Sequence, residues 1–555
     1  MTARAMRAAR FVWYNYPDSI QTRAGASQLP APTQVMMNAM NGRTRLFTAL
    51  GGGAVLGAVL TALGPAGNFW IGWLSSTLLL SLSLWGLIFA WQKAGAGRTL
   101  AWMVALAFFL RLGVGVLVME LLPEYGYDTL TQNRGYLFYD AFRRDNQAWD
   151  LVKAQEPLLN SFAEEFKTDQ YGGLLATSAF VYRYLSPDVQ RPFLILILGA
   201  FTTALGTAFF WRGVRFRFNE RLATLAGWIM VLYPDSILFG SSQMREPFLI
   251  GLTGIALWGV LAYFKDKWAA RAGLALSLAG MLLVSSRVAV AVAGVLVVWF
   301  WAEHLAPRSR AWAWGGALAL LVGGLGVAYF GWDWLRAAFL WDANRTEAAQ
   351  GWVVKIIQEA GEQFRLPILA AYGLAQPVLP AAIADDAILI WKVIAIFRAA
   401  GWYALAPLLL YAFFTVWKAA PEEKRILLWT AGFVLVWLLI SSIRAGGDLW
   451  DNPRYRVTFI PFMALLAGWG VLRAWDRRDW WLVRWLLVEI IFLGYFTNWY
   501  FSRYFHLWKR LPFWQNVLMI SVLSAVVLGS GLLWDAGKGL YRRLREKEHE
   551  HPRAD

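Results

Sequence analysis

The 555-residue chain contains no cysteine. That excludes disulfides, thiolate-held metal and cysteine nucleophiles. Histidine is nearly as scarce, with four in all, and His549 and His551 fall in the charged C-terminal stretch. A histidine-rich metal centre is therefore not expected. Charge is sparse too, at 16% of residues against roughly 25% in an ordinary soluble domain. No Walker-type phosphate loop is present, so nothing points to ATP as an energy source. The period-two alternation of a β-barrel is missing. No basic stretch followed by an apolar core and a small-residue cleavage site opens the chain, so no removable signal peptide is expected.

What fills the chain is apolar sequence, 58% of residues. Runs of about 18 or more apolar residues recur from end to end, and each reads as a transmembrane helix. Spans are expected near 46–64, 69–91, 99–121, 192–211, 222–240, 247–264, 272–285, 288–303, 311–331, 402–418, 425–443, 455–473, 480–500 and 514–534. The fold class is all-α, a polytopic bundle of about 14 spans. The short pair around Ser285-Ser286-Arg287 reads as a helical hairpin or one broken helix.

The net charge of +16 does not imply nucleic acid here, because the basic residues gather between spans. With both termini inside, the positive-inside rule places Lys93, Arg98, the Arg212-to-Arg221 cluster, Lys265, Arg308, Arg425 and Arg473-to-Arg478 on the cytoplasmic side. Anionic lipid is their natural partner. The expectation is a multi-pass protein of the plasma (inner) membrane. Residues 1–45 form a basic cytoplasmic arm, and 535–555 a charged cytoplasmic tail. The stretch 171–185 is too short to span. If it crossed, the four-arginine loop would face outward, so it reads as an interfacial or re-entrant helix. Outer regions then cover 122–191, 332–401 and 444–456. The region 332–401 contains helix-forming stretches such as 344–364. Long loops rich in aromatics at a membrane surface are commonly functional.

The first outer region carries Asp128, Asp140 and Asp145, the last with Trp149 one turn on. A carboxylate among aromatics can act as a general base toward an alcohol; it can equally belong to a solvated amphipathic helix. Arg245-Glu246 stands at the outer mouth of a span between Pro234 and Pro247. A guanidinium there fits a lipid phosphate, or a snorkelling helix end. Arg444, Asp448, Asp451, Arg454 and Arg456 crowd one short loop, which suits phosphate binding or a local ion-pair network. Arg111, Arg287 and Glu489 are ionisable residues inside or beside spans and mark buried pairs, a wet cleft or a substrate path. Glycines at 51–53, 57, 315, 316, 323, 324 and 326 permit close helix approach.

The order of these features resembles the GT-C class of polytopic glycosyltransferases, in particular the family of protein O-mannosyltransferases and aminoarabinose transferase. The carriers are Asp145-Asn146-Gln147-Ala148-Trp149, then Tyr171-Gly172-Gly173, then Leu232-Tyr233-Pro234 with Arg245-Glu246, then Asp451-Asn452-Pro453-Arg454-Tyr455. Asn146 stands where the family often has Glu, and Asp140 and Asp128 are alternative registers for the aspartate. The resemblance covers 99–475. It leaves two added helices at 46–98 and two at 476–534.

It implies transfer of a sugar from a polyprenyl-phosphate donor to an acceptor hydroxyl on a glycan, lipid or protein at the outer face. Asp145, Asp140 or Asp128 would be the base. Trp149, Tyr171, Arg245, Glu246, Arg287, Asp451, Arg454, Tyr455 and Arg456 would contact substrate. No cofactor is required on this reading, though a carboxylate-held divalent cation is compatible with it. The alternatives are a polymerase or ligase of lipid-linked oligosaccharides, and a transporter or flippase. The expected discriminator is whether the aspartate and the later arginines converge.

Overall fold

The computed structural model describes residues 41–163, 166, 172–330, 351–445 and 451–550. Among the described residues every regular element is helical. Ten helices are long and apolar enough to cross a membrane, or up to twelve if each of two bent pairs is one span. The chain is therefore a multi-pass membrane protein in its architecture.

The expected spans map onto these helices unevenly. In chain order the first four are α1 (Gly42–Leu63), α2 (Phe69–Ala94), α3 (Arg98–Tyr125) and, past the first outer region, α7 (Phe193–Arg217). That region folds into α4 (Leu130–Asn133), α5 (Tyr139–Lys153) and α6 (Gly173–Leu185). At 13 residues α6 is too short to span. Next come α8 (Glu220–Leu232) and α9 (Pro234–Gly240), bent by 55°. The expected span at 247–264 is α10 (Glu246–Leu261), apolar but of 16 residues. Helices α11 (Lys267–Val284) and α12 (Ser286–Phe300) are separate; α11, and α12 with its continuation to Leu305, each pass the span criterion, which favours the hairpin reading at Ser285. The expected span at 311–331 is α13 (Arg310–Phe330), which is not among the ten.

The described part of the expected second outer region, 332–401, is helical. It contains α14 (Gly351–Ala360), α15 (Arg365–Ala375) and α16 (Leu379–Ala384), and α17 already starts at Leu389 and runs to Thr415. Helix α17 thus begins inside the stretch expected as 332–401. Within α17, Arg398 is paired inside the protein with Asp235 at 2.6 Å. After α18 (Pro421–Ala445), the second bent pair is α19 (Asp451–Val457) and α20 (Ile460–Arg477), at 73°. Helices α21 (Trp481–Tyr504) and α22 (Phe513–Glu550) close the chain, so the charged tail continues α22 as a helix through 550. Residues 1–40 of the expected arm lie outside the described residues.

Small residues set the tightest packing. A Cβ on Gly57 would stand 2.6 Å from Thr77 Oγ1 and 2.9 Å from its backbone nitrogen. Gly53 meets Ser81 in the same way, so α1 and α2 touch backbone to side chain. The glycines of α13 behave differently: Gly315, Gly323, Gly324 and Gly326 face open space, and Gly316 meets Trp301.

The bend between α8 and α9 shows how a buried charge is accommodated. Pro234 has no N–H, so the carbonyl of Met230 loses its helical donor. Arg111 of α3, fully buried, donates to that carbonyl at 3.3 Å, to Ala107 O at 3.1 Å and to Ser236 Oγ at 2.7 Å. Arg111 is thus a backbone cap rather than half of an ion pair.

Charged loops segregate by contact. At one end of the bundle Arg212 pairs with Asp266 at 2.7 Å, Arg217 with Glu303 at 2.8 Å and Arg221 with Asp476 at 3.1 Å. Arg473 donates to the carbonyl of Lys418 at 2.9 Å. At the other end Asp188 accepts from the backbone of Asn68 at 2.8 Å and from Arg191. That guanidinium holds the Asp188 carboxyl down at about 2.

Candidate functional site

Three segments far apart in sequence meet at the end opposite the basic cluster. From the first outer region, α5 supplies Asp140, in its first turn, and Asp145 one and a half turns on. From the turn before α10 come Arg245 and Glu246. From α19 come Asp451, Asn452, Arg454 and Arg456.

Arg454 is the junction. Its Nε donates to Glu246 Oε1 at 2.6 Å, and its Nη1 donates to Asp140 Oδ2 at 3.0 Å. The same Nη1 lies 3.6 Å from Asp451. Arg143 approaches Asp140 at 3.6 Å from within α5. Arg144 reaches across to the carbonyl of Gln243 at 3.3 Å, tying α5 to the turn before α10. The Asp140 side chain keeps 38% of its surface, whereas Arg454 and Glu246 keep 10% and 5%. Burial raises the Asp140 carboxyl, but the Arg454 guanidinium outweighs it and holds the group below its ordinary value of 3.8. Two buried polar atoms here, Arg454 Nη2 and Glu246 Oε2, have no hydrogen-bond partner among the described residues. Unsatisfied buried groups of this kind cost stability and suit a site that receives a polar ligand.

Asp145 has a different setting. It is 2% exposed. It accepts from the phenols of Tyr136 and Tyr182, each at 2.5 Å, and from Gln190 Nε2 at 2.7 Å. Burial raises its pKa, opposed by these hydrogen bonds. Burial and the Asp145 charge likewise push both phenols well above their ordinary value. The carboxylate thus pins the loop before α5, the last turn of α6 and the approach to α7. Trp149 packs edge-on against Tyr182 at 5.9 Å, as part of the same cage.

A third group lies deeper. Asp235, at the start of α9, pairs with Arg398 of α17 and accepts from Tyr233 at 3.2 Å. Beside it, four side chains cap the C-terminal carbonyls of α15, which a helix leaves open. Asn452 takes Gly373 at 2.6 Å, Trp402 takes Leu374 at 2.8 Å and Tyr403 takes Ala375 at 2.9 Å. Arg456 takes Gln376. The Arg456 guanidinium also lies 3.9 Å from the Trp402 ring, and its Nε and Nη1 are buried without a hydrogen-bond partner among the described residues.

Other expected site residues fall elsewhere. Asp128 is exposed and accepts from Asn133 at 2.8 Å, apart from the Arg454 junction in its contacts. Tyr455 stacks under Arg444 at 4.9 Å. Arg287 sits exposed at the start of α12. Tyr171 and Asp448 lie outside the described residues. Asp235, Arg398, Gln376, Tyr136, Tyr182 and Gln190 were not singled out from sequence. A signal existed for Asp235 and Arg398, since each is a lone charge in an apolar run. Among the described residues no group of three or more histidines and carboxylates is arranged to hold a metal ion.

The arrangement offers a partly open carboxylate beside guanidinium groups with unused donors, at the mouth of a helix bundle. Comparison with family models, curated proteins and solved structures returned no match, so the chemistry of this site is read from its own geometry.

Proposed function

We propose that the chain is a GT-C-like membrane glycosyltransferase that moves a sugar from a polyprenyl-phosphate donor to an acceptor hydroxyl at the outer face of the inner membrane. The observation that carries this reading is the 3.0 Å contact between Asp140 and Arg454, residues 314 positions apart. A transferase of this kind needs a base and a phosphate-binding cation side by side, reached from both water and lipid.

Asp140 is the better-placed base. It is half-open, whereas both oxygens of Asp145 already accept hydrogen bonds. In the proposed reaction Asp140 takes the proton of the acceptor hydroxyl as that oxygen attacks the anomeric carbon. The bond to the donor phosphate breaks, and the lipid phosphate leaves with the electron pair. The unused N–H group of Arg454, beside Asp140, stabilises that growing charge, as pre-organised donors do. Guanidinium groups supply the positive charge that a divalent cation would otherwise bring. The acceptor is a glycan, lipid or protein hydroxyl. The termini and the basic end of the bundle lie in the cytoplasm, against anionic lipid.

The test is transfer from radiolabelled polyprenyl-phosphate sugars by purified protein. Asp140→Asn should lose roughly 10²–10⁴-fold in rate, the usual range for a general base. Wild-type rates in that variant would remove Asp140 from the reaction.

A further inference from the structure

Helices α21 and α22 lie beyond the residues that the proposed transfer uses, and they build a site of their own. Their apolar windows are almost wholly unburied within the protein, 0% and 6%, so their surroundings are lipid. Between them and the α14–α15 segment runs an apolar groove of about 270 Å³, walled by residues such as Ile356, Ala371, Ala375, Phe496, Phe513 and Val517.

The mouth of the groove is basic. Trp499 packs on Phe496 at 6.4 Å and on Phe513 at 6.1 Å, at the end of the groove. Arg503 and Arg510 both lie 5.5 Å from that one indole ring. Two guanidinium groups thus gather at one aromatic ring, and among the described residues neither is ion-paired. Lys509 adds a third cation, and the connection 505–512 has no acidic residue. Along the groove, Glu359 accepts from Trp514 Nε1 at 3.1 Å. This basic connection is at the end of the bundle where the charge pattern places few cations.

We propose that the groove and the Arg503–Arg510 pair together bind an anionic, phosphate-bearing membrane lipid. One apolar chain lies in the groove, and the phosphate bridges the two guanidinium groups. The proposal does not rest on the transfer reaction.

Native mass spectrometry of the full-length protein, loaded with phosphatidylglycerol or phosphatidylcholine, tests it. Wild type should retain phosphatidylglycerol through a wash that strips phosphatidylcholine. Arg503→Gln with Arg510→Gln should weaken phosphatidylglycerol by roughly 30-fold, from two lost surface charges. Arg503→Lys with Arg510→Lys should retain most of the binding. Ala371→Trp, which fills the groove at an exposed wall position, should weaken it with both arginines intact. Inorganic phosphate should not displace the lipid. Equal retention of the two lipids by wild type would overturn the proposal. So would unchanged binding in the double glutamine or Ala371→Trp variants, equal loss in the lysine and glutamine pairs, or displacement by inorganic phosphate.

Discussion

Asp140 and Asp145 are five residues apart on one helix, and their surroundings separate them completely. Asp145 is closed off by two phenols and an amide, while Asp140 meets a guanidinium at a wet mouth. The sequence placed Asp145 first because of its trailing Trp149. It could not show that Tyr136, Tyr182 and Gln190, at separations of 9, 37 and 45 residues, close around it. A pH profile reads the difference. Arg454 lowers the Asp140 pKa, so the carboxylate stays ionised as pH falls until the lowered value is reached. The acid limb of kcat/KM for transfer is therefore expected below 3.8, the ordinary aspartate value. Arg454→Gln should move that limb upward. An unmoved limb in a folded Arg454→Gln protein would show that the titrating group is not Asp140.

At the level of elements, most helices were legible because an apolar run of spanning length admits few other structures. What escaped were boundaries set by partners far along the chain. Helix α17 starts at Leu389, before the expected span at 402–418, and its Arg398 meets Asp235, 163 residues away. The capping of α15 by Asn452, Trp402, Tyr403 and Arg456 was equally invisible, since it joins three elements. The Asp145 cage gives a stability prediction. Tyr182→Phe removes one hydrogen bond to a buried charge, worth about 1.5–3 kcal/mol. It should lower the thermal midpoint in detergent, while transfer per folded molecule stays within a few fold. A second prediction concerns α1 and α2. Gly57→Leu drives a side chain into the Thr77 backbone and should destabilise this pair by about 1–3 kcal/mol. Faster proteolysis between 64 and 68 would register it. Unchanged cleavage would mean that α1 does not pack on α2 through Gly57.

For the whole molecule, the charge audit anticipated which loops share an end. In the structure Arg212, Arg217 and Arg221 meet Asp266, Glu303 and Asp476 at one end, and Asp140, Glu246 and Arg454 meet at the other. Their assignment to cytoplasm and exterior follows the positive-inside rule and has a direct check. The chain has no cysteine, so single substitutions report cleanly. Leu507→Cys should react with a membrane-impermeant maleimide in intact cells, and Arg477→Cys should react after permeabilisation. The reverse pattern would invert the topology and place the site inside. The central claim is that Asp140 does the chemistry and Asp145 holds the scaffold. Transfer from a radiolabelled polyprenyl-phosphate sugar, measured side by side on equal amounts of folded protein, decides it. The account predicts that Asp140→Asn is inactive and that Asp145→Asn, though less stable, still transfers. Full activity in Asp140→Asn would contradict it.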